Sequence, residues 1–243
     1  MRTMAFAARN AREIVRDPLS ALFGIGFPVV LILLISMMKR SVPEMPAEMF
    51  GIAAFTPGMA VFGLSFLSLF LGMLIANDRS SAFLMRLFAC PMTGADYILG
   101  YSLPMLPLAL LQGVVCYVTA LFFGLPVSVN LLPGLAVLLV PDMLFIALLL
   151  GSLFTATQVG GAASILVNLA AWLSGTWFSL DMIGGVFRTL CNLLPFAHAV
   201  EAVKAAMNGE YSAMPLHLVW VAGYAVVFYG LAVWIFRRRM RGA

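Results

Sequence analysis

Covalent chemistry has few places to happen in this sequence. Its two lysines, Lys39 and Lys204, do not follow a glycine-rich loop, so no phosphate-cradling P-loop is present. The two histidines, His198 and His217, have no HExxH spacing, and no GxSxG elbow occurs. Cys90, Cys116 and Cys191 lie far apart without CxxC or metal-ligand spacing, which suits free thiols with no catalytic task. The sequence therefore names no catalytic, cofactor-binding or metal-binding residue. Any function driven by ATP must draw on another polypeptide.

The residues that can do specific non-covalent work fall in three places. The first is a polar stretch, 77–101, between two long apolar runs. Within it Phe83, Leu84, Leu87 and Phe88 share one helical face, while Arg79, Ala82 and Arg86 share another. Asp78 or Asn77 is placed to cap the start of this helix, and Pro91 to end it. A short two-faced helix between spans either lies flat at the membrane surface or docks a cytoplasmic partner. In the second reading the contact set is Asp78, Arg79, Phe83, Leu84, Arg86, Leu87 and Phe88.

The second place is Asp142, an acid well inside an apolar run and next to Pro141. A carboxylate there is costly and marks a functional position, unless it is protonated, paired for helix packing or close to the outer headgroups. The third is a set of small and polar residues aligned along helices. Gly161, Ser164, Asn168, Ala171 and Gly175 share one face of a later span; Gly58, Ser65 and Gly72 share one face of an earlier span. Such faces serve helix packing, or they line an interface or a polar path. Gln112 is an isolated polar residue that suits a packing hydrogen bond.

The elements that position these residues follow from composition. The 243 residues are 63% hydrophobic and 10% charged, with a mean hydropathy of +1.05. A soluble protein carries about a quarter charged residues, so this is an all-α integral membrane protein, a single transmembrane domain over 1–243. Residues 3–17 form an amphipathic helix with Arg2, Arg9, Arg12 and Arg16 opposite Met4, Ala7, Ala11, Ile14 and Val15. Six spans are expected at about 19–38, 54–76, 99–123, 133–155, 161–180 and 214–236. The first is long enough to span, so a cleavable signal peptide is not expected. Between the last two spans, Pro195 and Gly209 bracket a re-entrant or interfacial helix with a Phe196, Val200, Val203, Met207 stripe and a Glu201–Lys204 pair. Net charge is +4, but position matters more than sum. With both ends inside, ten Lys/Arg fall on the inner side and four (Lys39, Arg40, Arg188, Lys204) on the outer. Both termini and the 77–98 loop are therefore expected in the cytoplasm, and the arginines serve orientation, not nucleic-acid binding.

This combination resembles the ABC-2 type permeases, the membrane subunits of ATP-binding-cassette exporters. The resemblance covers nearly all of the chain. It rests on the N-terminal amphipathic helix, on Asp78-Arg79, Ala89-Cys90-Pro91-Met92-Thr93 and Tyr97-Ile98-Leu99-Gly100-Tyr101, and on Leu194-Pro195-Phe196 through Gly209. Family members often have Glu and Gly where Asp78 and Ser81 stand, and a basic residue in place of Tyr101. The resemblance implies a connecting helix at the N-terminus and a coupling helix between the second and third spans. For Ser65, Asp142, Gly161, Ser164, Asn168 and Gly175 it implies a translocation path or dimer interface. It implies further partners: a separate ATPase subunit that binds ATP and Mg, a second permease (identical or related) and membrane lipids. The expected setting is the cytoplasmic (inner) membrane. The expected cargo is a lipophilic or amphipathic small molecule, or alternatively a lipid-linked glycan or peptide, moved by alternating access. A secondary transporter or channel would need more ionisable groups along its path than Asp142, and a non-transporting assembly protein would bind no ATPase.

Overall fold

The computed structural model describes residues 2–81, 92–140 and 142–240. Among these the regular structure is helical and no strand occurs. Hydrocarbon imposes this, because each backbone N–H and C=O must be satisfied within its own segment. Five helices among the described residues are long and apolar enough to cross a membrane: Leu22–Ser41, Ile52–Ser80, Gly94–Phe122, Ala156–Leu173 and Met214–Arg238.

Ile52–Ser80 is the hub of the bundle. In its most apolar stretch 72% of residues are buried, against 39% or less in the other four. It packs against the first, third and fifth spans and against two shorter helices, Asp142–Leu153 and Pro195–Asn208. Small residues let these neighbours approach. A Cβ on Gly58 would lie 2.7 Å from Thr176, and one on Gly63 would lie 2.1 Å from the Gln112 amide. A Cβ on Gly151 would lie 2.6 Å from the Gly72 carbonyl oxygen. The Gly58, Ser65, Gly72 face is thus spent on helix packing. Gln112 is fully buried there and donates to Cys116 Sγ at 3.3 Å.

Two expected spans differ. The run at 133–155 is two helices, Leu131–Val137 and Asp142–Leu153, neither long enough to cross alone. Proline at 141 removes one N–H and biases the preceding residue away from helical geometry, which accounts for the break. The pair reaches from Gly134, beside Tyr117 and Met207, to Gly151, beside Gly72 and Ile75. The fifth span ends at Leu173, not near 180. Gly175, at φ +72, takes the left-handed position just past the helix end. It is a turn residue and not part of the helical face expected of it. Ala171 is also off that face, buried in the cluster of Ile32, Phe55 and Phe62.

Pro195–Asn208 starts and stops on the expected signals, with Gly209 at φ +78 closing it. The Glu201–Lys204 pair forms at 2.9 Å. Phe196, Val200 and Val203 are buried, but so are Ala197, Ala199, Ala202, Ala205 and Ala206. A helix buried on so many sides is no surface anchor. It is wedged between the last span, Leu131–Val137 and Ile52–Ser80.

Both chain ends and the residues flanking 82–91 gather at one end of the bundle. Thr3 Oγ1 donates to Asp96 at 2.7 Å, Tyr97 stacks on Phe236 at 3.7 Å between centroids, and Gly94 lies against Arg237. The opposite end holds Arg40 over the Phe123 ring at 5.2 Å and Tyr211 donating to Asn130 at 2.7 Å.

Candidate functional site

The N-terminal helix, Arg2–Val15, docks onto the first of these ends. Its packing face is Phe6, Ala7, Asn10 and Ile14, all buried. This corrects the expected apolar face, because Met4 and Val15 are 65% and 76% exposed. The reason is polar. Asn10, fully buried, donates to the Gly100 carbonyl at 3.0 Å, while Phe6 stacks against Tyr97 and meets Tyr101 edge-on at 5.0 Å. Gly100 is what permits this approach, since a Cβ there would lie 2.2 Å from the Phe6 ring.

Asp78 sits at the centre of the joint. Ile52–Ser80 runs through it, so Asp78 belongs to the last turn of the second span, and the helix it is expected to open falls outside the described residues. Its carboxylate is buried and accepts from Arg9 twice, at 2.6 and 3.1 Å, and from Tyr101 Oη at 2.5 Å. Arg9 also pairs with Glu13 at 2.8 Å and donates to Asn10 Oδ1 at 2.8 Å. Burial alone would lower the Arg9 pKa. The hydrogen bond and charge of Asp78, with the charge of Glu13, outweigh it and hold the guanidinium above its ordinary value. A bidentate pair of this kind fixes geometry as well as supplying energy. It locks the N-terminal helix to the end of the second span and the start of the third.

Arg79 makes a second link. Its Nη1 donates to the carbonyls of Gly151 at 2.6 Å and Phe154 at 3.1 Å. Those are end carbonyls of Asp142–Leu153, where a cation complements both the unpaired acceptors and the helix dipole. The third span begins with a capping box, in which Thr93 accepts from the Asp96 N–H and the Asp96 carboxylate accepts from the Thr93 N–H. The loop residues Phe83, Leu84, Arg86, Leu87 and Phe88 lie outside the described residues. So does the side chain of Asp142, whose backbone opens Asp142–Leu153.

The fifth span carries a different polar face. Gly161, Ser164 and Asn168 are exposed, and a Cβ on Gly160 or Gly161 would meet nothing within 4 Å. Ser164 Oγ donates to the Gly160 carbonyl at 2.6 Å, and Asn168 Nδ2 to the Ser164 carbonyl at 2.8 Å. Ile165, Leu169 and Trp172 are exposed beside them. The opposite face, Val159, Ala163, Val167 and Ala170, is buried. Ser65 is not on an outer face. It is buried on the second span between Ala170, Ser174 and Phe196, lining a cavity of about 10 Å³.

The sequence points to Asp78, Arg79 and Tyr101, and to Arg9 only as a headgroup-facing cation; it does not point to the Arg9–Asp78 pair, to Asn10, or to the Gly151 and Phe154 carbonyls that Arg79 meets. One signal was available. Phe6, Asn10 and Ile14 recur at four-residue spacing, so the buried face of the N-terminal helix was readable with a polar residue at its centre.

Comparison with known proteins gives the family context. A family model described as ABC-2 type transporter matches residues 1–208. Nodulation protein J of Sinorhizobium fredii (strain NBRC 101917 / NGR234) is 25% identical over 233 residues, covering 92% of this chain and 84% of that protein. Nodulation protein J of Rhizobium meliloti (strain 1021) is 28% identical over a shorter match, 32% of this chain. ABC transporter G family member 20 of Dictyostelium discoideum is 28% identical over 159 residues. That match spans 62% of this chain and 21% of the longer Dictyostelium protein.

Proposed function

The chain belongs to the ABC-2 type transporter family, and we propose that it is the membrane subunit of an exporter powered by a separate ATPase. The single observation that carries this reading is the Arg9–Asp78–Tyr101 joint. It ties the N-terminal helix to the second and third spans at the points where the chain enters and leaves the 82–91 loop, and on this reading the three would move as one unit. A push on that loop would then move the hub helix and, through Arg79, the end of Asp142–Leu153. ATP and Mg would be bound by the partner ATPase. Phe83, Leu84, Arg86, Leu87 and Phe88 would form the contact, with Asp78 and Arg79 transmitting force behind it. Preference of the ATP-bound partner for one state shifts the access equilibrium, with no chemical step in this chain.

The same reading has six crossings, the split segment 131–153 supplying the fourth. Both termini then lie in the cytoplasm, which the ten-to-four distribution of basic residues favours. Two copies, or this chain and a related one, would enclose the path with their fifth spans. The face of Gly161, Ser164 and Asn168 beside Ile165, Leu169 and Trp172 offers both hydrogen bonds and apolar area, which suits an amphipathic small molecule in the inner membrane. Asp142 would stand on the path or at a moving interface.

The test is affinity purification of the full chain from native membranes in mild detergent. A cassette ATPase is expected in the complex, with ATP-dependent transport after reconstitution. Repeated absence of any ATPase would overturn the reading in favour of a secondary transporter or an assembly protein.

A further inference from the structure

A cavity of about 660 Å³ opens beside the N-terminal helix, and no residue of the fifth span lines it. Its floor is apolar: Leu67, Phe70, Met73 and Leu74 from the second span, and Met105 and Leu108 from the third. Its mouth is charged, with Arg16 between Glu13 and Asp17. The backbone builds the recess. The N-terminal helix stops at Val15, and the chain turns before Leu22–Gly26 winds as a single π-helical turn. Such turns occur mostly as local insertions, often at functional sites. Gly24 on that turn packs against Leu67, where a Cβ would lie 2.6 Å away, so the wide turn is seated on the second span.

The level of the cavity identifies its surroundings. Asn77 lines it one residue before Asp78, and Glu13 in its mouth pairs with Arg9. The mouth is therefore at the end of the bundle where the chain termini meet, and the floor descends along the apolar spans. Val15, Leu19 and Leu111 at its edge are exposed, so it opens sideways toward lipid. Charged groups above and hydrocarbon below reproduce the layering of one membrane leaflet.

We infer that this cavity holds one glycerophospholipid of the adjacent leaflet, with an acyl chain on the partly exposed Phe70, Leu74 and Leu108 and a zwitterionic headgroup at the mouth. Arg16 takes the phosphate, as guanidinium groups do with planar forks of donors. Glu13 and Asp17 face the ammonium. Two acids flanking one arginine disfavour a headgroup that is only anionic, so phosphatidylethanolamine fits better than phosphatidylglycerol. The bound lipid braces the end of the N-terminal helix against the second and third spans. The site shares no lining residue with the exposed face of the fifth span, so it stands or falls apart from the transport reading.

The experiment is native mass spectrometry of the full chain purified in mild detergent. Phosphatidylethanolamine, phosphatidylcholine and phosphatidylglycerol are supplied in equal amounts. One phosphatidylethanolamine is expected to survive delipidation. Leu108→Trp fills the floor and lowers its occupancy about tenfold, while Val118→Trp, on an exposed part of the same span, leaves it unchanged. Arg16→Gln on the rim lowers occupancy about threefold and removes the preference among headgroups, which keeps the test open if Leu108→Trp does not fold. Equal retention in wild type and Arg16→Gln would overturn the inference. So would loss in Val118→Trp equal to that in Leu108→Trp, or a retained molecule that is not a glycerophospholipid.

Discussion

Asp78 and Asn168 are both polar side chains on long apolar helices, and they are satisfied in opposite ways. Asp78 is buried and bonded to residues 69 and 23 positions away, Arg9 and Tyr101. Asn168 is exposed and bonded to its own helix, at Ser164. A long-range buried network costs desolvation and ordering, and it persists when it fixes a geometry. A helix that satisfies its polar groups locally keeps its outer face available. One region is a finished joint within the chain; the other is a surface left open among the described residues.

The joint can be broken most severely at its charges. Arg9→Leu alone leaves the buried Asp78 charge without its cation, at a cost of about 3–5 kcal/mol, while in Asp78→Leu the guanidinium of Arg9 loses its buried acid and keeps only Glu13. Leucine at both positions should cost less than either single change, because no unpaired charge remains. Thermal unfolding of the purified chain, with hydrogen exchange of the Arg2–Val15 helix, measures both. Single variants within about 0.5 kcal/mol of wild type would reduce the joint to a surface ion pair.

A smaller break comes from packing. Gly100→Leu forces the Phe6 ring aside and should destabilise by up to about 3 kcal/mol, with faster exchange confined to the N-terminal helix. If exchange rises uniformly instead, that helix is not held at Gly100. Arg79→Met follows at about 1.5 kcal/mol, the worth of charge-assisted bonds to the Gly151 and Phe154 carbonyls. Its effect should appear at the end of Asp142–Leu153 and leave the Arg9–Asp78 pair intact.

The contrast also marks what the sequence could show. Hydropathy locates the long apolar helices because each is a continuous run. It misplaces the end of the second span, since Asp78 looks like a terminus until Arg9 and Tyr101 neutralise its cost. It overextends the fifth span, where residues past Leu173 remain apolar while Gly175 turns the chain. Pro141 hints at a bend, but periodicity alone does not show the fourth run as two helices. The packing face of the N-terminal helix escaped because arginine was assigned to headgroups, whereas Arg9 has an internal acid to meet. In contrast, Gly161, Ser164 and Asn168 stand on one face as their spacing dictates, because that helix is regular and its bonds are local.

The open face offers the mildest perturbation and the sharpest distinction. Asn168→Leu removes a hydrogen bond made only to its own helix, so the stability of the single chain should shift by no more than about 0.5 kcal/mol. If the face meets a second permease, the same change alters what lies across the axis, and pairing or substrate handling should change while folding does not. Single cysteines along the fifth span, on a background without Cys90, Cys116 and Cys191, give the direct measurement in native membranes. Cross-links between copies are expected at 161, 164 and 168 and should be scarce at 159, 163 and 167, which are turned into the bundle. Gly175 drops out of this series: at φ +72 any side chain is strained, so a defect in Gly175→Leu reports on the turn and not on pairing. A uniform cross-linking pattern, or none together with a monomeric mass in mild detergent, would leave that face to lipid. The difference between the two polar regions would then be one of burial alone.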